Sequence, residues 1–190
     1  MPTTVVGLQA GSRFRASLMA KFRLAVMRHA KSDLYSGEHE DFLRSLSERG
    51  AGDARRMGRW MAEDDRLPEW ILSSSARRAR ETLNLFAEGA KVDFGDRTEW
   101  IDALYLGSLE VILHVLKTHK RHRNLMIPGH NPGLEELIGY LVAEIPEAGE
   151  FRMRFAPGTV YVLEMACRFD KLERGCANVV THQRPKALAS

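Results

Sequence analysis

Two cysteines in 190 residues, Cys167 and Cys176, are too few for a disulfide-built scaffold, and no metal-ligand spacing joins them. They read as reduced thiols of a cytoplasmic protein, although a disulfide across a C-terminal hairpin is compatible with their spacing. Long apolar runs are also missing. None approaches the roughly 20 residues of a membrane-spanning helix, so no membrane segment is expected. Strong charge of either sign is absent too: the formal net charge is +3, with both signs mixed along the chain, short of a nucleic-acid footprint. Residues 1–21 contain no acidic residue and lack the apolar core of a secretory signal. They read as a flexible extension ahead of a single domain over residues 22–186. Neither an internal repeat nor a low-complexity tract interrupts that domain.

Hydrophobic residues at 44% are enough for one substantial core. The apolar residues alternate between two kinds of pattern. Residues 22–28, 69–73 and 124–128 are short, nearly continuous apolar runs, as in strands buried on both faces of a parallel sheet. Between them lie stretches of helical period. Ser47 caps a helix carrying Ala51, Ala54, Met57 and Met61. Residues 74–88 place Ala79, Leu83 and Phe86 on one side, and Ser108 caps a helix with Val111, Ile112, Val115 and Leu116. Leu137, Ile138 and Leu141 mark a further helix over residues 134–142. Residues 92–94 are a candidate strand, followed by a loop with Glu99 and Asp102, and residues 159–165 are another strand, with residues 167–181 pairing near it. Strand and helix in alternation predict an α/β fold, a three-layer sandwich with a mostly parallel central sheet and helices on both faces.

Three of the predicted strands end on unusual residues. Arg28-His29 follows the first, Arg77-Arg78 the second, and His130, between Gly129 and Asn131, the third. Ligands of open α/β sheets bind beyond the carboxyl ends of the strands, and right-handed crossovers bring those ends to one edge. The implied pocket holds two imidazoles and at least two guanidiniums without a close carboxylate pair, which suits a phosphoryl group. Arginines in the first turn of a helix oppose its dipole, so Arg77, Arg78 and Arg80 are locally unfavourable unless an anion compensates them. The other histidines, His39, His114, His119, His122 and His182, share no ligand spacing, and no metal site is expected from them.

Arg28-His29-Ala30, Ser74-x-x-x-Arg78-Ala79-x-x-Thr82 and Gly129-His130-Asn131-Pro132 resemble the ordered motifs of the histidine phosphatase superfamily, the phosphoglycerate mutase-like fold. More narrowly, MRHAKSD at residues 27–33, Asp41-x-x-Arg44-x-Leu46-x-x-x-Gly50, and GHNPGLEEL at residues 129–137 are similar to the SixA-type phosphohistidine phosphatases. The resemblance implies that His29 is a nucleophile forming a covalent phosphohistidine, that Arg28 and Arg78 clamp the non-bridging oxygens, and that His130 donates to the transferring group. It implies no metal or other cofactor. A free imidazole titrates near 6.5, and neighbouring guanidiniums disfavour a second positive charge, which keeps His29 neutral and nucleophilic.

Arg77 reads as a flanking charge rather than a clamp. Arg44 is open between contacting the substrate and tying down its loop. Asp102 is the nearest match to the proton-donating acid of many superfamily members, with Glu99 second, and neither sits in a clear motif. Phosphohistidine, whose leaving imidazole needs less protonation than an alkoxide, fits a site with a reduced acid. The expected substrate is therefore a phosphohistidine protein, such as a phosphotransfer domain in signal transduction. Two alternatives remain: a small-molecule phosphomonoesterase with Asp102 as acid, and a catalytically silent phosphate-binding module.

Overall fold

The computed structural model describes residues 22–33, 40–142 and 155–188. The extension expected over residues 1–21, and His39 of the polar loop, lie outside the described residues. Strand β1 (Phe22–Arg28) is apolar at successive positions because both of its faces are covered. Leu24 and Val26 point into one half of the core, with Ile112 and Leu116 of helix α3 (Leu109–Thr118) and Leu137 and Ile138 of helix α4 (Gly133–Leu141). Ala25 and Met27 point into the other, with Met57 and Met61 of α1 (Glu48–Glu63) and Leu83 and Phe86 of α2 (Arg77–Ala90). A fully buried side chain of this size contributes about 1.5–3 kcal/mol relative to exposure, so the run fixes β1 at the centre of the molecule.

The remaining strands are β2 (Trp70–Ser74), β3 (Thr98–Ile101), β4 (Asn124–Gly129), β5 (Val160–Met165) and β6 (Ala177–Gln183). They form one sheet in the order β3-β2-β4-β1-β5-β6. The first four of these are parallel, β5 runs against β1, and β6 runs against β5. With two helices on each face this is the three-layer α/β sandwich that the sequence predicts. The parallel register sets Arg28 of β1 beside Gly129 of β4, so the residues after both strands emerge at the same edge.

Three local expectations change. Residues 92–94 are not a strand; the sheet's edge is β3, four residues further on, paired with Ile71–Ser74. Phe94 is instead a core plug, 3% exposed and tilted against Phe86, and the chain reaches it directly from the left-handed Lys91 that ends α2. Helix α2 starts at Arg77, because Ser74 completes β2. Ser108 stands at the first position before α3, but its hydroxyl donates to the Glu110 carboxylate (2.7 Å) and caps no amide.

Ser47, by contrast, caps α1 as expected. Its Oγ accepts from the Gly50 amide (3.1 Å) and donates to the Lys31 carbonyl (3.0 Å). A Cβ on Gly50 would stand 2.1 Å from that same carbonyl oxygen, so only glycine lets the first turn of α1 rest on the chain leaving β1. At the far end of the sheet, the Cys167 and Cys176 sulfurs meet at 2.6 Å across the β5–β6 connection, and burial pushes the Cys167 thiol up.

Candidate active site

His29 is held by backbone on both sides. Its amide donates to the Gly129 carbonyl (3.0 Å), extending the β1–β4 ladder, and its carbonyl accepts from the Gly158 amide (3.0 Å). The next amide, that of Ala30, donates to Thr82 Oγ1 (3.0 Å), whose hydroxyl donates to the Arg78 carbonyl (2.6 Å). Thr82 thus ties the loop after β1 to the helix that carries Arg78.

The imidazole of His29 is buried, 8% exposed. Its Nδ1 lies 2.8 Å from the Ala30 carbonyl, which accepts only if Nδ1 bears the proton. That tautomer leaves a lone pair on Nε2, which accepts from Arg78 Nε at 3.2 Å. Burial lowers the pKa of His29 to about 4, with the guanidiniums of Arg78, Arg28 and Arg44 adding to the fall and the Ala30 carbonyl opposing it. The ring is neutral at neutral pH.

Arg78, 2% exposed, spends its outer edge on Asp41: Nη1 donates to the Asp41 carbonyl (2.5 Å) and Nη2 to its Oδ2 (2.9 Å). Asp41 opens the 3₁₀ turn Asp41–Leu43 and carries two further partners. Tyr105 donates its hydroxyl to Oδ2 (2.7 Å), and Arg44 Nε lies 3.0 Å from Oδ1. Burial works to raise the pKa of Asp41 but is outweighed by Tyr105, Arg78 and Arg44, so the carboxyl stays below its ordinary value.

His130 follows β4, 3% exposed, its ring centroid 5.0 Å from that of His29. Ser74 Oγ accepts from the Ala76 amide (3.3 Å) and has its own proton for His130 Nε2, 2.8 Å away. In that arrangement His130 carries its proton on Nδ1, which is buried without a hydrogen-bond partner. Burial, then His29, Arg78 and Arg28, pushes its pKa down to about 3 against the pull of Asp41. Tyr105 closes the circle, standing edge-on to His130 with centroids 5.4 Å apart. His29, Arg78, Asp41, Tyr105 and His130 therefore form a continuous ring of contacts. Arg28 approaches it from the end of β1, its Nη1 fixed on the Phe155 carbonyl (2.8 Å) and its Nε buried without a partner. Two orphaned N–H groups, Arg28 Nε and His130 Nδ1, thus accompany the Nε2 lone pair, a donor set suited to an oxyanion.

The structure brings together Arg28, His29, Arg78 and His130, and adds Arg44 through Asp41. Arg77 stays outside, its Nε on Glu81 (2.8 Å) and Nη1 3.5 Å from the Leu43 carbonyl. Asp102 is exposed at the exit of β3, where it accepts from the Ser75 hydroxyl, one residue away from the serine that holds His130. Glu99 pairs with His119 Nε2 (2.8 Å) instead. The arginine-rich start of α2 is compensated from within: Glu81 serves Arg77, Asp41 serves Arg78, and Arg80 donates to the Ser75 carbonyl and lies 4.4 Å over the Trp100 ring. The sequence assigns no role to Asp41, which opens the Asp41-x-x-Arg44 motif, or to Tyr105, and the structure places both in the pocket. The only available signal was the three-residue spacing of Asp41 and Arg44.

A three-layer α/β fold with a neutral imidazole set among guanidiniums at a parallel sheet edge is an arrangement suited to phosphoryl chemistry. The model of the histidine phosphatase superfamily, branch 1, matches residues 24–111. The chain is 32% identical over 145 residues to an uncharacterized chloroplastic protein of Arabidopsis thaliana, a match covering 70% of this chain and 66% of that one. In three dimensions it resembles a protein of Nakamurella multipartitia proposed to be the phosphohistidine phosphatase SixA, with a TM-score of 0.72 and 26% identity over 87% of this chain and 96% of that one. The protein histidine phosphatase SixA complexed with tungstate shares the fold at a TM-score of 0.70 and 19% identity, over 88% and 99% of the two chains. No helix among the described residues is long and apolar enough to cross a membrane.

Proposed function

We propose that this chain is a phosphohistidine phosphatase working through a covalent intermediate on His29, with a phosphorylated signalling protein as its substrate. The observation that carries the reading is the His29 Nε2 lone pair, which the Ala30 carbonyl directs toward the Arg78 guanidinium. In the first step Nε2 attacks phosphorus and the bond from phosphorus to the substrate imidazole breaks. The departing nitrogen takes the bonding pair and is protonated from water, while His130 Nδ1–H donates a hydrogen bond to a phosphoryl oxygen. Arg78 Nε–H turns from Nε2 to a phosphoryl oxygen, which it shares with Arg28, and charge spread over the equatorial oxygens is met by fixed cations. In the second step water attacks phosphorus, His29 Nε2 leaves with its electron pair restored, and phosphate departs.

Asp41 holds Arg78 and Arg44 at the correct side of that reaction. Its carboxyl is too acidic to donate a proton at neutral pH, and Asp102 has its hydrogen bond elsewhere. A leaving imidazole tolerates that arrangement better than an alkoxide does. The test is a rapid quench with a phosphohistidine protein carrying labelled phosphate. Label is expected on His29 in the wild type and phosphate release is expected to vanish in His29→Ala. Label trapped on a different residue would sink the mechanism.

A further inference from the structure

Among the described residues three large apolar side chains stand exposed: Leu43 at 41%, Leu106 at 54% and Val180 at 50%. Val180 lies on the edge strand β6, away from the pocket. The other two flank it. Leu43 ends the 3₁₀ turn whose first residue, Asp41, holds Arg78, and its carbonyl lies 3.5 Å from Arg77 Nη1 at the start of α2. Leu106 follows Tyr105, which stands on His130, and precedes Gly107, whose carbonyl would lie 2.1 Å from a Cβ on Gly133 at the start of α4. The two leucines are thus anchored on different helices, Leu43 at the start of α2 and Leu106 through Gly107 at the start of α4. Between them Phe42 meets Tyr105 edge to face, centroids 4.9 Å apart, and completes an apolar lip.

Leu106 has φ of +50°, a left-handed backbone that a leucine adopts only at a cost. That conformation directs a large apolar side chain into solvent beside a cationic pocket, where folding alone gives no return for it. A phosphorylated sugar or other small polar ester carries no apolar surface to match the lip. A protein does, with its phosphoryl group inserted between Arg28 and Arg78 and the apolar surface around its phosphohistidine resting on the leucines. Resting on the function proposed above, we infer that Leu43, Phe42, Tyr105 and Leu106 form the docking lip for that protein substrate, and that Leu43 and Leu106 act in recognition without acting in chemistry.

The double variant Leu43→Gln with Leu106→Asn removes the two exposed leucines, and asparagine is at ease in the left-handed conformation. Two probes are compared: a histidine phosphotransfer domain phosphorylated on its histidine, and phosphoramidate, a P–N phosphoryl donor with no surface to dock. The expected result is a loss of about tenfold in kcat/KM on the phosphoprotein, carried by KM, with phosphoramidate turnover within about twofold of wild type. Equal losses on both probes would mean that the leucines support the pocket and would overturn the docking role. No loss on either would overturn it as well, with the proposed function intact. Wild-type protein that hydrolyses neither probe would instead overturn the function itself and the lip with it.

Discussion

Asp41 is the acidic member of the pocket's ring, and it meets three groups at once. Its carboxylate binds Arg78, Arg44 and Tyr105, so exchanging it for an amide of the same size removes charge without removing volume. The side chain is 47% exposed, so solvent screens part of the interaction. Asp41→Asn is expected to lower kcat/KM on a phosphohistidine protein by about tenfold, equivalent to about 1.4 kcal/mol, with Asp41→Glu recovering part of the loss. Steady-state kinetics checks this, and an unchanged kcat/KM in the amide variant would show that Arg78 keeps its orientation alone. The proposed catalytic quartet is legible in the sequence because each member sits at a strand exit inside a motif. Asp41 is legible only as the opening residue of the Asp41-x-x-Arg44 motif and Tyr105 not at all, since loop residues carry no periodicity and their contact spans 64 positions.

One hydroxyl serves both the chain leaving β1 and the start of α2. Thr82 accepts from Ala30 and donates to Arg78, the residues on either side of the reacting nitrogen. Thr82→Val keeps the shape and leaves the buried Ala30 amide without its partner, at a cost of about 1–3 kcal/mol. A lower thermal midpoint together with a lower kcat is expected; a lower midpoint with kcat unchanged would make the threonine purely structural. At this scale the sequence reads unevenly. Strand β1 is evident because both faces are buried, and α1 because Ser47 and the spacing of Met57 and Met61 agree. The edge strand β3 is hidden because it has four residues with no fully buried one, while Val92 and Phe94 just before it are also strand formers and serve the core instead.

For the molecule as a whole, two buried imidazoles make stability depend on pH. His29 and His130, lowered to about 4 and about 3 from an ordinary 6.5, bind fewer protons folded than unfolded. Their contribution is therefore complete above pH 6.5 and is lost as pH falls through the folded values. At 1.36 kcal/mol per unit, His29 alone makes the chain roughly 3 kcal/mol more stable at pH 7 than at pH 4. Denaturant unfolding at both pH values should show this difference shrinking in His29→Gln. A slope equal to that of wild type would mean that the imidazole is not held neutral by the fold.

Strand β5 reverses direction beside β1, so its beginning lies at the same edge as the end of β1. There Gly158 donates to the Arg28 and His29 carbonyls, and the Phe155 carbonyl receives Arg28 from 127 positions away. All four side chains of the proposed catalytic quartet precede residue 131, yet the backbone that steadies two of them is made later. During synthesis the ribosome therefore completes the chemistry's side chains well before it completes their support. The proposed activity is expected to arise in the growing polypeptide only after β5 has threaded in beside β1.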